Sequence, residues 1–263
     1  MKRILAILIA ILSLNIAQAQ FHVLHMEESN MTKTEIKRYS DFYFHSSYLR
    51  MDTRTGDQVE QSVLYDRGNR TVYMIDQTSR KYFKLDEEIA ENLKARIEQM
   101  KKMAEERIAT LPPEQQEMAR KMMDQQMGNM NAEHAIESTG EEKEINSYEC
   151  SEYLMTEDGE IKRKMWVASY SDMGIGRKEV QCLEDFSSLM ASFAEAMGSN
   201  LGDSNFLYQE EIQGLPVNSV DYDYGQPAGQ NNVVGIKEYT PDRDFFKIPM
   251  GFTEQQLEGE GDE

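Results

Sequence analysis

Met123, Met127, Met130 and His134 recur every three or four residues, the spacing that puts side chains on one face of a helix. Three thioethers and an imidazole on one face make a soft ligand set of the kind that suits Cu(I). The same stripe also serves packing, because methionine is a flexible, polarizable filler of cores and adaptable surfaces. The helical stretch upstream carries Ile and Leu at matching positions, so packing explains both stripes with one cause. No metal site is therefore expected, with these four residues as the alternative. The histidines, His22, His25, His45 and His134, show no ligand spacing with cysteines or carboxylates. His22 and His25 stand three apart in a strand-like stretch, which puts them on opposite faces, and they read as ordinary strand histidines.

No phosphate-binding loop, dinucleotide fingerprint, nucleophile elbow or zinc-protease motif occurs. Carboxylates abound, but a chain with 47 Asp and Glu residues brings many together by chance, and no pair stands out as a glycosidase dyad. A non-catalytic protein with no cofactor is expected. The 2 cysteines, Cys150 and Cys182, are not spaced as a Cys-x-x-Cys redox pair. Outside the cytoplasm such a pair is expected to form a structural disulfide. Closing a loop of roughly thirty residues contributes about 3–4 kcal/mol in the chain-entropy account.

The oxidising compartment is inferred from the first residues. Lys2 and Arg3 precede an apolar run from Ile4 to Ile16, and Ala17-Gln18-Ala19 supplies the small-x-small cleavage pattern. Residues 1–19 are thus expected to be a signal peptide, cut after Ala19, in a protein that is periplasmic or secreted. The apolar run is short for a membrane span, and no later stretch suffices, so no transmembrane anchor is expected in the mature chain. The absence of a cysteine at the cleavage point argues against a lipid-anchored lipoprotein. The net charge of −19 disfavours nucleic acid and anionic membrane surfaces as partners. Glu258 to Glu263 reads as a solvated acidic tail.

Strands are expected first. Phe21–Glu27, Phe42–Phe44, Tyr48–Asp52, Gln58–Tyr65, Arg70–Asp76 and Arg80–Leu85 are rich in aromatic and β-branched residues and are separated by turn residues. From Asp86 to Glu137 the chain turns charged and helical in period. Ile89, Leu93, Ile97, Met100, Ala104, Ile108 and Leu111 form one stripe, Pro112-Pro113 breaks it, and the methionine stripe follows, so a helical hairpin over a sheet is expected. Strands resume at Glu144, with Tyr148–Thr156 and Glu160–Ala168 flanking the turn Asp158-Gly159. A short helix is expected over Asp185–Met197, capped by Asp185 or Ser187. Phe206–Ile212, Val217–Tyr224 and Val233–Tyr239 read as strands, Gly225–Asn232 as a loop, and Phe245–Phe252 closes the fold.

Four stretches carry a resemblance. Tyr48-Leu49-Arg50-Met51 and the paired hairpins of Ser62–Leu85 are two of them. The others are Leu111-Pro112-Pro113-Glu114-Gln115 opening a Met-rich helix, and Tyr148–Tyr153 before Met165-Trp166-Val167-Ala168. The chain resembles an exported bacterial family known as a domain of unknown function, which in turn resembles the periplasmic lipoprotein-carrier (LolA-like) fold. The resemblance implies an α+β fold: a curved antiparallel sheet, or half-barrel, whose concave face is covered by a helical hairpin insertion (86–137) and a short helix. The single domain would span 20–257, followed by the tail 258–263. It also implies an apolar cleft between sheet and helices, with Phe42, Phe44, Leu49, Met51, Tyr73, Ile75 and Trp166 as candidate lining and Met123 and Met127 from the lid. Binding of a lipid or other hydrophobic ligand in that cleft is the leading expectation. An interaction module docking an envelope protein through the Met-rich hairpin is the second, and Cu(I) binding the third.

Overall fold

The computed structural model describes residues 21–30, 37–126, 134–197, 212–242 and 244–256. β1 (Phe21–Asn30), β2 (Lys37–Phe44), β3 (Tyr48–Thr55), β4 (Gln58–Asp66), β5 (Thr71–Asp76) and β6 (Lys81–Leu85) form a meander, each strand antiparallel to the next. The tight turns have local causes. Asp66 Oδ1 accepts the amides of Gly68 and Asn69 at 2.9 and 3.3 Å. Asp76 Oδ1 accepts those of Thr78 and Ser79 at 2.8 and 2.9 Å, the same aspartate-driven turn one hairpin later.

Helix α1 (Glu87–Ala109) follows directly, with Asp86 as its N-cap accepting from the Ile89 amide at 3.1 Å. α2 (Pro113–Gln126) starts at the second proline, where the missing N–H costs nothing. Then come β7 (His134–Ile145), β8 (Tyr148–Glu157), β9 (Glu160–Ser169), α3 (Arg177–Met197), β10 (Gly214–Asp223), β11 (Gln226–Tyr239) and β12 (Thr253–Gln255).

All of these strands join one open sheet in the order β12-β6-β5-β4-β3-β2-β1-β11-β10-β9-β8-β7. The pairing of β1 with β11 unites the first meander with the last hairpin. The β12–β6 pair alone is parallel among the described strands. Register shifts interrupt six ladders, and such bulges bend and twist a sheet, giving the curvature. At Gly214 a Cβ would collide with the Ala168 carbonyl oxygen, so glycine alone lets β10 lie against β9 there.

One apolar core covers one face of this sheet. Leu24, Phe42, Phe44, Leu49, Tyr65, Val72 and Leu85 from the strands join Cys182, Leu183, Leu189 and Phe193 of α3 and Ala90 of α1. A smaller cluster, Met155, Met165, Val167 and Ile212, belongs to the opposite face of β8 and β9. α1 packs against α3. It is buried at its ends, through Ala90 and Ile108, whereas Met100 in its middle is 57% exposed.

The fold differs from the sequence reading at several points. The helical insertion does not reach Glu137: among the described residues α2 runs to Gln126, and His134 to Glu137 belong to β7, paired with β8 from His134↔Glu157 onward. A partner strand's hydrogen bonds outweigh local helical period there. α3 begins at Arg177, so Asp185 and Ser187 lie inside it and cap nothing. The expected loop Gly225–Asn232 is mostly strand, because the chain reverses tightly at Tyr224-Gly225 and Gln226 already pairs with Asp223. The expected disulfide is absent: Cys150 and Cys182 are free, buried thiols on β8 and α3. The expected signal peptide (1–19), the tail 258–263 and residues 206–211 of an expected strand lie outside the described residues.

Candidate functional site

The register of the meander lays apolar side chains in rows across the helix-bearing face. The first row is Phe44, Leu49, Tyr65, Val72 and Leu85, each directly opposite the next on neighbouring strands. Every member is buried and belongs to the main core. The next row along the strands is Leu24, Phe42, Met51, Val63, Met74 and Phe83. Here burial fades across the sheet. Leu24 and Phe42 are buried, Met51 and Val63 are half-buried against the core, and Met74 is 45% exposed. Met51, Val63, Met74 and Phe83 therefore make an apolar shelf on β3–β6, open beyond the packed core. Ile89 of α1 packs against the same core, with Leu93 and Ile97 half-buried further along the helix.

Of the candidate lining residues, Phe42, Phe44, Leu49, Met51 and Trp166 share this face. Tyr73 and Ile75 do not. They alternate with Val72 and Met74 on β5 and so point to the other face, where Tyr73 meets Tyr82 at 6.1 Å in a T-shaped pair. The side chain of Met123 and the whole of Met127 lie outside the described residues, as does Met130. His134, on β7, is not on a helix, so the four-residue helical face proposed for Cu(I) does not form.

At the far end of the same face, Trp166 lies beneath Lys143 and Lys164, whose ammonium nitrogens are 3.8 and 5.7 Å from its ring centroid. Glu152, opposite Trp166 on β8, receives Lys164 at 2.5 Å and the Thr139 hydroxyl at 3.1 Å. Burial would raise its pKa, but these two hydrogen bonds outweigh it and hold the carboxyl below its ordinary range. Within the core the Tyr65 phenol is pushed up to about 12, by burial first and then by Asp185. Burial also raises both thiols, Cys182 to about 12, so neither is a nucleophile at neutral pH.

The opposite face carries a polar row. His25 Nδ1 and Asp41 Oδ1 share a hydrogen bond at 2.5 Å, and Arg54 Nε donates to Asp41 Oδ2 at 3.0 Å. Arg50 Nε donates to Asp52 Oδ1 at 2.8 Å, and Arg50 also donates to the Phe245 carbonyl and lies 4.3 Å over the Phe245 ring. Phe245 meets Tyr43 at 4.7 Å and Tyr239 at 5.4 Å, while Phe246 stacks on Tyr48 at 5.1 Å. The segment after β11 thus straps this face before β12 adds to the β6 edge.

Sequence reasoning missed Val63, Met74 and Phe83. The signal lay in the two aspartate turns, which fix hairpin register and so decide which residues share a face. It also missed the role of His25, whose partner Asp41 is set by strand pairing and leaves no mark in local spacing.

No curated protein matches the chain. An uncharacterized conserved protein from Thermus thermophilus is similar at 6% identity and TM-score 0.45, over 91% of each chain. MucB in complex with MucA(peri) is similar at 9% identity and TM-score 0.36, over 88% of this chain and 54% of that one. A LolA superfamily protein from Nitrosomonas europaea follows at 5% identity and TM-score 0.28, over 89% and 93% of the two chains. At such low scores these likenesses carry no inference about what the chain does. A family model matches residues 114–252, more than half of the chain, and the protein belongs to the family described as Domain of unknown function (DUF4412).

Proposed function

We propose that this is a non-catalytic exported protein that holds a flexible apolar ligand, an acyl chain, against the helix-bearing face of its sheet. The observation that carries this reading is the shelf Met51–Val63–Met74–Phe83. It continues the packed core outward as an unbroken cross-strand row whose outer methionine is 45% exposed. Four strands at sheet spacing span roughly 14 Å, the length of about eleven extended methylenes. Each methylene removed from water contributes about 0.8 kcal/mol, and methionine side chains adapt to a chain of no fixed shape. A leader at residues 1–19 would put the protein in the periplasm or outside the cell. Among the described residues no helix is long and apolar enough to cross a membrane.

The test is extraction of the natively purified protein with organic solvent followed by mass spectrometry, paired with binding of the fluorescent probe N-phenyl-1-naphthylamine. Copurified lipid, and probe fluorescence lost in Met74→Glu, support the reading. Absence of lipid together with equal probe binding by wild type and Met74→Glu overturns it. A second reading rests on a separate observation. Met103 of α1 and Met118 of α2 are 45% and 63% exposed, an apolar helical surface suited to a protein partner. Crosslinking in the native envelope, with capture dependent on Met103 and Met118 and indifferent to Met74, favours that reading instead.

A further inference from the structure

The methionines among the described residues divide by exposure. Met26, Met155, Met165 and Met173 are buried in the two apolar clusters. Met74, Met100, Met103, Met118 and Met250 stand open to solvent. Met51, two strands from Met74 in the shelf row, is half-buried against the core. Peroxide reaches an open thioether and is kept from a sealed one, so an oxidant modifies the open set and spares the packing that holds the fold.

Met74 is the open methionine that lies in the shelf. Val63 on β4 and Phe83 on β6 stand directly opposite it. Neither side chain carries an N–H or O–H, and a thioether between them needs none. A sulfoxide in the same place is polar and strongly accepting. The nearest side-chain donors in register, Gln61 and Lys81, stand opposite Asp76, two residues further along β5. An oxidised Met74 must turn out of the row to reach them or draw water into it. Either response breaks the apolar row between Val63 and Phe83.

We propose that Met74 is a modification site through which peroxide controls ligand binding: its oxidation to the sulfoxide releases the apolar ligand from the shelf and leaves the fold intact. This rests on the reading of the shelf as the surface that holds an acyl chain. In the step itself the sulfur lone pair attacks one peroxide oxygen, and the S–O bond forms as the O–O bond breaks. The departing hydroxide takes the proton from the transferred oxygen and leaves as water. Sulfur is oxidised by two electrons and the peroxide is reduced by them. A polar group covered by the ligand without a hydrogen bond weakens binding roughly tenfold to a hundredfold.

The test is hydrogen peroxide treatment of the full mature chain, followed by peptide mass spectrometry, N-phenyl-1-naphthylamine binding and thermal melting on the same samples. The expected result is one added oxygen at Met74, none at Met26, Met155, Met165 or Met173, and probe affinity weaker by about tenfold or more. The melting temperature should not move. In Met74→Leu, compared with its own untreated form, the same treatment should oxidise Met100, Met103, Met118 and Met250 without changing probe affinity. Met74→Gln, neutral and polar like the sulfoxide, should reproduce the loss without peroxide. Dodecanoate should slow oxidation at Met74 and leave Met250, on the strap across the sheet, as fast as before. A Met74 sulfoxide with undiminished probe affinity, or an equal loss in treated Met74→Leu, overturns the proposal. If wild type and Met74→Glu bind the probe equally before any peroxide, the shelf is refuted and this proposal falls with it. If Met74→Glu loses the probe and the sulfoxide keeps it, the shelf stands and the oxidative control alone is refuted.

Discussion

Asp41 and Asp52 stand directly opposite each other on β2 and β3, two carboxylates whose side chains are only 10% and 6% exposed. Like charges in that cross-strand position oppose pairing. The sheet tolerates them because β3 supplies one arginine to each, Arg54 to Asp41 and Arg50 to Asp52. Arg50 then does a second task by gripping the backbone and ring of Phe245. Removing it leaves Asp52 charged, buried and beside Asp41. Arg50→Met is expected to cost about 3–5 kcal/mol, the range for breaking a buried pair. Arg50→Met with Asp52→Leu should recover most of that loss, since two apolar side chains need no partner. Urea unfolding measures both. A single variant within about 1 kcal/mol of wild type would mean the pair is solvated in practice.

Asp86 links the meander to α1 and gives a prediction in pH. Its carboxylate caps the helix at Ile89 and pairs with Lys84 at 2.7 Å. The Lys84 hydrogen bond, foremost, lowers its pKa below the ordinary 3.8; burial, next in size, opposes it, and the Ile89 cap adds to the lowering. A carboxyl whose folded pKa is depressed stabilises the fold above its unfolded pKa and loses that contribution as pH falls through the folded value. Asp86→Ala should cost about 1 kcal/mol at pH 7. The difference from wild type should shrink below pH 3.8. Thermal melts of the two proteins between neutral and acidic pH check this, and a difference constant across that range would contradict it.

The two thiols make a chemical prediction. Cys150 and Cys182 are 2% and 1% exposed, and burial raises both pKa values, Cys182 to about 12. The thiolate is the reactive form, so native protein at pH 8 should react with neither iodoacetamide nor a disulfide reagent, and unfolded protein should react twice. Reductant should leave the melting temperature unchanged. An intact mass two daltons short of the reduced chain would show a bridge and refute the free pair.

What is legible in the sequence is local. Asp66, Asp76 and the Asp158-Gly159 pair announce their turns because their side chains or backbone conformations make them, and the strands between lie close to where their composition puts them. α1 is legible from its stripe. β7 is not, because its pairing energy comes from β8, and its charged edge sequence follows the rule that exposed edges avoid apolar residues. The first half of α3 is hidden by Cys182, which reads as half of a bridge but packs as a small apolar residue in the helix. At the site, Phe42, Phe44, Leu49, Met51 and Trp166 stand out by aromatic and apolar character, which marks burial without marking a side. Tyr73 and Ile75 are misplaced for that reason. Face is set by counting from a fixed turn, and a one-residue change in the count reverses every assignment.

That reversal gives the sharpest test of the shelf. Met74 and Tyr73 are adjacent in β5 and point to opposite faces, Met74 in the row with Met51 and Val63, Tyr73 beside Tyr82. If an acyl chain lies on the helix-bearing face, Met74→Glu introduces a charge where the chain must lie. It should remove probe binding while changing stability by about 0.5 kcal/mol or less, because Met74 is 45% exposed. Tyr73→Ala removes more apolar area but on the wrong face. It should lower stability, by loss of the Tyr82 contact and its burial, and leave probe affinity intact. Fluorescence titration beside urea unfolding of both variants separates the two effects. Probe binding lost in Tyr73→Ala and kept in Met74→Glu would move the ligand to the other face of the sheet.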